Sequence, residues 1–169
     1  TAYRMLFTKS GLQPGQTILF HAAAGGVGLI ACQWARALGV NLIGTVGSKE
    51  KAALAKAAGA AHVINYNEED IVARVLEITD GAKVPVVYDS VGKDTFIRSL
   101  DCLQPRGLMV SFGNSSGPVP PFSVGELASR GSLYITRPSL AAYVATRTEL
   151  EAAAFRRLVA GLVIDGLGK

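Results

Sequence analysis

The chain predicts an α/β fold: a doubly wound parallel sheet of about six strands with helices on both faces. Three observations carry this. Short apolar, β-branched runs alternate with amphipathic helical runs as far as residue 113. The strand-like runs are apolar throughout rather than alternating, as burial on both faces requires. The first strand-like run meets the first helical run across HAAAGGVG, His21 to Gly28. Strand, glycine turn and helix in that order form the phosphate-binding opening of a Rossmann-type dinucleotide fold.

The strand candidates in order are residues 17–21, 41–46, 62–65, 84–89 and 108–113. Helix candidates lie between them at 27–38, 49–58, 68–79 and 93–103. Asn67 ahead of Glu68, Glu69 and Asp70 reads as an N-cap with an acidic first turn. Gly39, Gly59 and Gly81 stand where helix C-caps fall. Right-handed crossovers give the strand order 3-2-1-4-5, with a sixth strand near 132–136. Residues 114–122, rich in Ser, Gly and Pro, read as a loop, and 150–162 as a final helix. There is no internal repeat and no low-complexity tract.

Composition narrows the class of protein. The 169 residues are 49% apolar and 18% charged, which suits one folded domain burying about two-thirds of its unfolded surface. The net charge of +4 is spread along the chain rather than clustered. It fits an anionic small ligand better than nucleic acid, and no RNP-like or zinc-finger pattern is present. Cys32 and Cys102 sit in separate apolar segments with no CxxC or Cys/His pairing, so they read as reduced core thiols and not as metal ligands. No signal peptide and no membrane-spanning run is evident, so a cytoplasmic location is expected. The chain starts at Thr1 in a helical pattern and stops at Lys169 where a further strand would begin, which reads as a domain cut from a longer protein.

The glycine turn is the first candidate site. The fingerprint G-x-G-x-x-G reads Ala23-Ala24-Gly25-Gly26-Val27-Gly28, with Ala at the first glycine position. Gly25 allows close approach to a pyrophosphate, and the N–H groups of Gly26 and Val27 point at it. Gly28 lets helix pack closely on strand. After the second strand the sequence runs Val46-Gly47-Ser48-Lys49-Glu50-Lys51. The acid that would bind a ribose 2′-OH in an NAD site is missing at Val46 and Gly47. Ser48 offers a hydrogen bond and Lys49 or Lys51 a positive charge, so NADPH is favoured over NADH.

Later strands end in Asp89-Ser90-Val91-Gly92 and in Phe112-Gly113-Asn114-Ser115-Ser116. Ligands of open α/β sheets bind over such ends, so Ser90, Gly113 and Ser115 are placed to line the crevice. Asp89 reads as a turn or cap residue, and Ser111 and Ser116 as loop hydrogen-bonders. His21 and His62 each read as a satisfied structural histidine. The nucleophile elbow G-x-S-x-G, the zinc motif HExxH and paired carboxylates are all missing, so hydrolysis is poorly supported. Hydride transfer needs none of them, because the cofactor carries the reactive atom.

With these residues in place, the chain resembles the cofactor domain of the NADPH-dependent quinone oxidoreductases. These form the zinc-free, zeta-crystallin-like branch of the medium-chain dehydrogenase/reductase superfamily. The resemblance is carried in order by Thr1-Ala2-Tyr3, HAAAGGVGLIACQWA (21–35), LIGTVGS (42–48), VINY (63–66), VVYDSVG (86–92), SLDCL (99–103), RGLMVSFGNSSG (106–117) and GSLYITRPSL (131–140). Ala at the first glycine position is typical of that branch.

The resemblance implies that Gly26 and Val27 contact the pyrophosphate. It places Gly47, Ser48 and Lys51 around the 2′-phosphate and Tyr66 beside the adenosine end. Ser90 and Val91 would lie along the crevice, and Phe112, Gly113 and Ser115 would face the ribose and nicotinamide. Pro138 and Leu140 would close over the nicotinamide. Relatives often carry a second Tyr where this chain has Arg4, which changes that contact toward phosphate. No catalytic side chain and no metal ligand is implied within the chain.

The resemblance further implies a partner domain of GroES-like fold, with the quinone pocket between the two domains. This domain alone is then expected to bind NADPH and to reduce quinones poorly or not at all. It also implies a homodimer joined at sheet edges, for which residues 132–136 are the candidate strand. Two other readings stand beside it. One is a reductase of the same superfamily acting on an enone or alkenal. The other is a non-enzymatic NADPH-sensing or RNA-binding module, which the scattered charge and lack of aromatic-basic stripes disfavour.

Overall fold

The computed structural model describes residues 12–139. Thr1 to Arg4, Leu140 and the expected helix at 150–162 lie outside the described residues. The elements run β1 (Thr17–Phe20), α1 (Gly26–Ala37), β2 (Asn41–Val46), α2 (Lys49–Ala58), β3 (His62–Asn65), α3 (Ile71–Ile78), β4 (Val84–Asp89), α4 (Phe96–Asp101), β5 (Leu103–Ser111), α5 (Gly125–Ser129) and β6 (Tyr134–Thr136). They form one parallel sheet of order β3-β2-β1-β4-β5-β6, as the crossover argument requires.

Adjacent strand residues point to opposite faces, and both faces are covered. Ile18, Phe20, Leu42, Val86 and Tyr88 pack with Ala31, Cys32 and Ala35 of α1 and Ala55 of α2. Leu19, Ile43, Ile64, Val87 and Met109 pack on the other side with Ile71 and Val75 of α3 and Phe96 and Leu100 of α4. Small residues on α1 bring that helix close to the sheet. Burying each large aliphatic side chain contributes roughly 1.5–3 kcal/mol. Cys32 and Cys102 are buried free thiols, with burial pushing them up to about 11 and about 12.

Several expectations need correction. Asn67 does not cap α3. The cap is Asp70, whose carboxylate accepts from the N–H of Ala73 at 2.8 Å, so Glu68 and Glu69 precede the helix rather than opening it. Helix α4 covers only Phe96–Asp101, because the N–H groups before it are held in a turn: those of Val91 and Gly92 by Asp89, that of Lys93 by the Gly117 carbonyl and that of Asp94 by Ser116. Strand β5 begins earlier than expected, at Leu103, and bulges: Val84 pairs with Leu103 but Val86 with Leu108. Residue 21 leaves the first strand and turns its ring inward. The five-residue α5 follows the proline-rich loop without a periodic signal long enough to read.

Gly59 caps α2 in a left-handed conformation, while Gly39 and Gly81 lie just past the caps Leu38 and Thr79, also with positive φ. Among the described residues, no helix is long and apolar enough to cross a membrane.

Candidate cofactor crevice

Over the C-terminal strand ends lies a crevice of about 650 Å³. It is lined from the segments that follow four strands: Ala22, Ala24 and Gly25 after β1; Gly47, with Lys51 on α2, after β2; Tyr66 and Asn67 after β3; Val91, Asp94 and Thr95 after β4. Ser115 and Ser116 close it from the β5 side, and Arg98 reaches it from α4. A ligand lying across all of these would span the point where strand order reverses, between β1 and β4.

The glycine turn is shaped by close approach. A Cβ on Gly28 would stand 2.5 Å from the carbonyl oxygens of Ala22 and Ala23, so only glycine lets α1 begin there. Gly25 is the N-cap of α1, with no side-chain hydrogen bond and no acidic residue in the first turn. The N–H groups of the exposed Gly26 and Val27 therefore keep their partial positive charge for an incoming anion. Ala23, at the first fingerprint position, is fully buried and donates its N–H to the Thr45 carbonyl at 3.0 Å. Its methyl group fits because Gly44 opposite has none: a Cβ there would lie 2.5 Å from the Ala23 Cβ. The missing glycine of the fingerprint has moved to the neighbouring strand.

At the end of β2, Ser48 caps α2 and accepts from the Lys51 N–H at 3.3 Å. A hydrogen bond from Ser48 is also the first cause holding the Glu50 carboxyl below its ordinary value. Lys49 turns away to Glu68 at 3.6 Å, whereas Lys51 lines the crevice. The Tyr66 ring lies directly over Gly47, where a Cβ would meet its hydroxyl at 2.6 Å. Asn67, read above as a cap, donates its side-chain amide to the Gly47 carbonyl at 2.7 Å and lines the crevice.

On the far side, Asp89 is fully buried. One of its oxygens accepts from the N–H groups of Val91 (2.7 Å) and Gly92 (3.0 Å). The other accepts from the hydroxyls of Thr95 (2.7 Å) and Ser99 (3.0 Å). Asp89 is thus a turn residue, as read. Ser90 and Gly113 are packed against each other, and the Ser90 carbonyl accepts from the Ser115 N–H at 3.1 Å. Ser116 bonds to the Val91 carbonyl and the Asp94 N–H. Arg137, at the end of β6, donates to Ser111 Oγ (3.2 Å) and the Gly113 carbonyl (3.0 Å).

The structure thus brings Gly25, Gly47, Lys51, Tyr66, Val91 and Ser115 into one crevice wall. Gly26, Val27, Ser48, Ser90 and Gly113 are not among the lining residues: the first four neighbour them in the chain, and Gly113 packs against Ser90. Phe112 packs its ring against Phe20 at 5.7 Å, and Pro138 is half-buried. His21 is a satisfied buried histidine, bonded on both ring nitrogens, but His62 is exposed at the edge of the sheet. It sits at the first residue of β3, the edge strand of the sheet among the described residues. Sequence reasoning missed Asn67, Thr95, Ser99 and Arg98. The helical spacing from Thr95 to Ser99 was the one available signal, since it puts two hydroxyls on one face.

Fold and crevice define the class: a Rossmann-type dinucleotide domain with an uncapped glycine turn. The chain belongs to the family described as zinc-binding dehydrogenase, which matches residues 26–155. It is 60% identical over 166 residues to quinone oxidoreductase 1 of Escherichia coli strain K12, covering 96% of this chain and 51% of that protein. It superimposes with a TM-score of 0.91 on the crystal structure of Escherichia coli quinone oxidoreductase complexed with NADPH, at 59% identity. That match covers 98% of this chain and 50% of the other. A 2-haloacrylate reductase of Burkholderia sp is 49% identical over 152 residues, 89% of this chain and 46% of the reductase. The chain therefore spans about half the length of the curated relatives it matches. Among the described residues, no group of three or more His, Cys, Asp or Glu could hold a metal ion.

Proposed function

We propose that this chain is the NADPH-binding domain of a zinc-free quinone oxidoreductase, working in the cytoplasm with a GroES-like catalytic domain. The observation that carries the reading is the pairing of two anion sites in one crevice. The uncapped N-terminus of α1 suits a pyrophosphate, and Lys51, with no acid at the end of β2, suits a 2′-phosphate. NADPH would supply the hydride. The relatives named above as quinone oxidoreductases, one of them complexed with NADPH, support the same assignment.

In this reading Gly25, Gly26 and Val27 hold the pyrophosphate, and Gly28 sets the helix close enough for them to do so. Gly47, Ser48 and Lys51 surround the 2′-phosphate, with Tyr66 at the adenosine. Ser90 and Val91 run along the dinucleotide. Phe112, Gly113 and Ser115 face the ribose and nicotinamide, and Pro138 and Leu140 cover the ring. The chain orients the reductant and contributes no acid or base to the transfer. The edge strand β6 exposes Tyr134 and Ile135, and we assign it to pairing with a second copy.

Fluorescence titration tests the cofactor reading, with NADPH binding at least about tenfold more tightly than NADH. Equal affinities would contradict it. The 2-haloacrylate reductase relative supports a second reading, in which the acceptor is an activated alkene. Assaying the whole protein with a quinone and with an α,β-unsaturated carbonyl compound separates the two.

A further inference from the structure

The polar groups buried beneath the crevice form one connected chain across three strands. Thr45 is the penultimate residue of β2, His21 follows β1, Asp89 ends β4 and Ser99 lies on α4; none is more than 1% exposed. Thr45 Oγ1 lies 2.9 Å from His21 Nδ1, His21 Nε2 lies 2.9 Å from Ser99 Oγ, and Ser99 Oγ lies 3.0 Å from Asp89 Oδ2.

The direction of every bond follows from the chemistry of the far end. A carboxylate only accepts, so the Ser99 hydroxyl donates to Asp89. Ser99 Oγ must then accept from His21, which places the ring proton on Nε2. The bare Nδ1 takes the hydrogen of Thr45. Burial lowers the His21 pKa against the opposing pull of Asp89, with Arg98 adding to the lowering, and so keeps the ring neutral. Ser99 is not a nucleophile in this arrangement: it is closed to solvent and lies between the histidine and the carboxylate.

Both ends of the chain reach the crevice walls. The Thr45 carbonyl holds the Ala23 N–H in the glycine turn. The Asp89 carboxylate holds the N–H groups of Val91 and Gly92 in the loop after β4. We infer that Ser99 is a positioning residue for the cofactor. By joining His21 to Asp89 it fixes the loop after β4 relative to the loops after β1 and β2, without itself lining the crevice. The inference rests on the reading of that crevice as a nucleotide site.

Ser99→Ala removes one oxygen atom and leaves the crevice lining intact. It is expected to weaken NADPH and NADH alike, by about fivefold to tenfold, the equivalent of about one hydrogen bond. The ratio of the two affinities stays as in the native chain, because Lys51 is untouched. A lowered Tm with native Kd values would overturn the proposal, since a purely structural hydroxyl moves stability alone. Ser99→Cys keeps the side-chain length and weakens both bonds. It is the milder variant should Ser99→Ala fail to fold; a loss of about twofold to threefold is expected in it, and native affinity there also overturns the proposal. Nitrogen-15 spectra of the native chain without nucleotide should show His21 as the neutral Nε2–H tautomer. The Nδ1–H form would reverse the deduced direction at Ser99 and overturn its link to Asp89. Failure of the native chain to bind either nucleotide would overturn the cofactor reading, and this role with it. Native affinity in a folded Ser99 variant overturns the positioning role alone.

Discussion

The loop after β1 and the loop after β4 face one another across the crevice and are built by opposite means. The first is shaped by side chains that are missing: Gly28 under the helix start and Gly44 opposite Ala23. The second is shaped by one side chain that is present, the buried carboxylate of Asp89 with its four accepted bonds. Close approach is a steric demand, which a glycine announces in the sequence. A carboxylate that organises a loop looks like any other Asp until its surroundings are known.

Substituting Asp89 gives the largest expected effect. Asp89→Asn sets an amide NH₂ against donors that had an acceptor, and should cost about 3 kcal/mol or more, read from urea unfolding. A loss under about 1 kcal/mol would mean that backbone packing, not the carboxylate, shapes the β4 loop.

Next comes Gly44→Ala, where two Cβ atoms would stand 2.5 Å apart. Overpacking of this kind costs about 1–3 kcal/mol. Combining it with Ala23→Gly should restore about 1 kcal/mol or more in a double-mutant cycle, since the two methyl groups compete for one space. Additive effects would break the link drawn between the displaced fingerprint glycine and β2.

The pH dependence of stability probes the polar side. Folding lowers the His21 pKa from its ordinary 6.5. Stability is therefore undiminished above pH 6.5. Below it the unfolded chain takes up a proton that the folded chain refuses, and stability falls until the folded pKa is reached. The slope contributed is at most about 1.4 kcal/mol per pH unit. Urea unfolding of the native chain and of His21→Gln between pH 5 and 8 should show this slope only in the native chain.

The smallest effect lies in the glycine turn itself. Ala22 has a φ of +55°, in the left-handed region. Ala22→Gly should relieve that strain and raise stability by about 1 kcal/mol, visible as a higher Tm.

These particulars show what the sequence could reveal. Strand order and the covered sheet faces followed from periodicity and the handedness of crossovers. Gly25 and Gly28 were legible because backbone approach is a local property; local charge offered Lys49 and Lys51 alike, and the fold turns Lys49 to Glu68 and Lys51 to the crevice. Asn67 was misread because an Asn before acids resembles a cap, while its true partner, the Gly47 carbonyl, is 20 residues away. Ser99 was silent for the same reason, being 78 residues from His21. The bulge in β5 was hidden because it depends on pairing with β4. The glycine side of the crevice is written locally, whereas the carboxylate side exists only in the assembled sheet.

In the proposed function one crevice holds NADPH, with Lys51 on the 2′-phosphate. Calorimetric titration of NADPH and NADH into the native chain and Lys51→Ala tests it most directly. The substitution is expected to weaken NADPH by about tenfold or more, as loss of a charge-assisted contact would, and to leave NADH unchanged. An equal loss for both nucleotides, or none for NADPH, would contradict it.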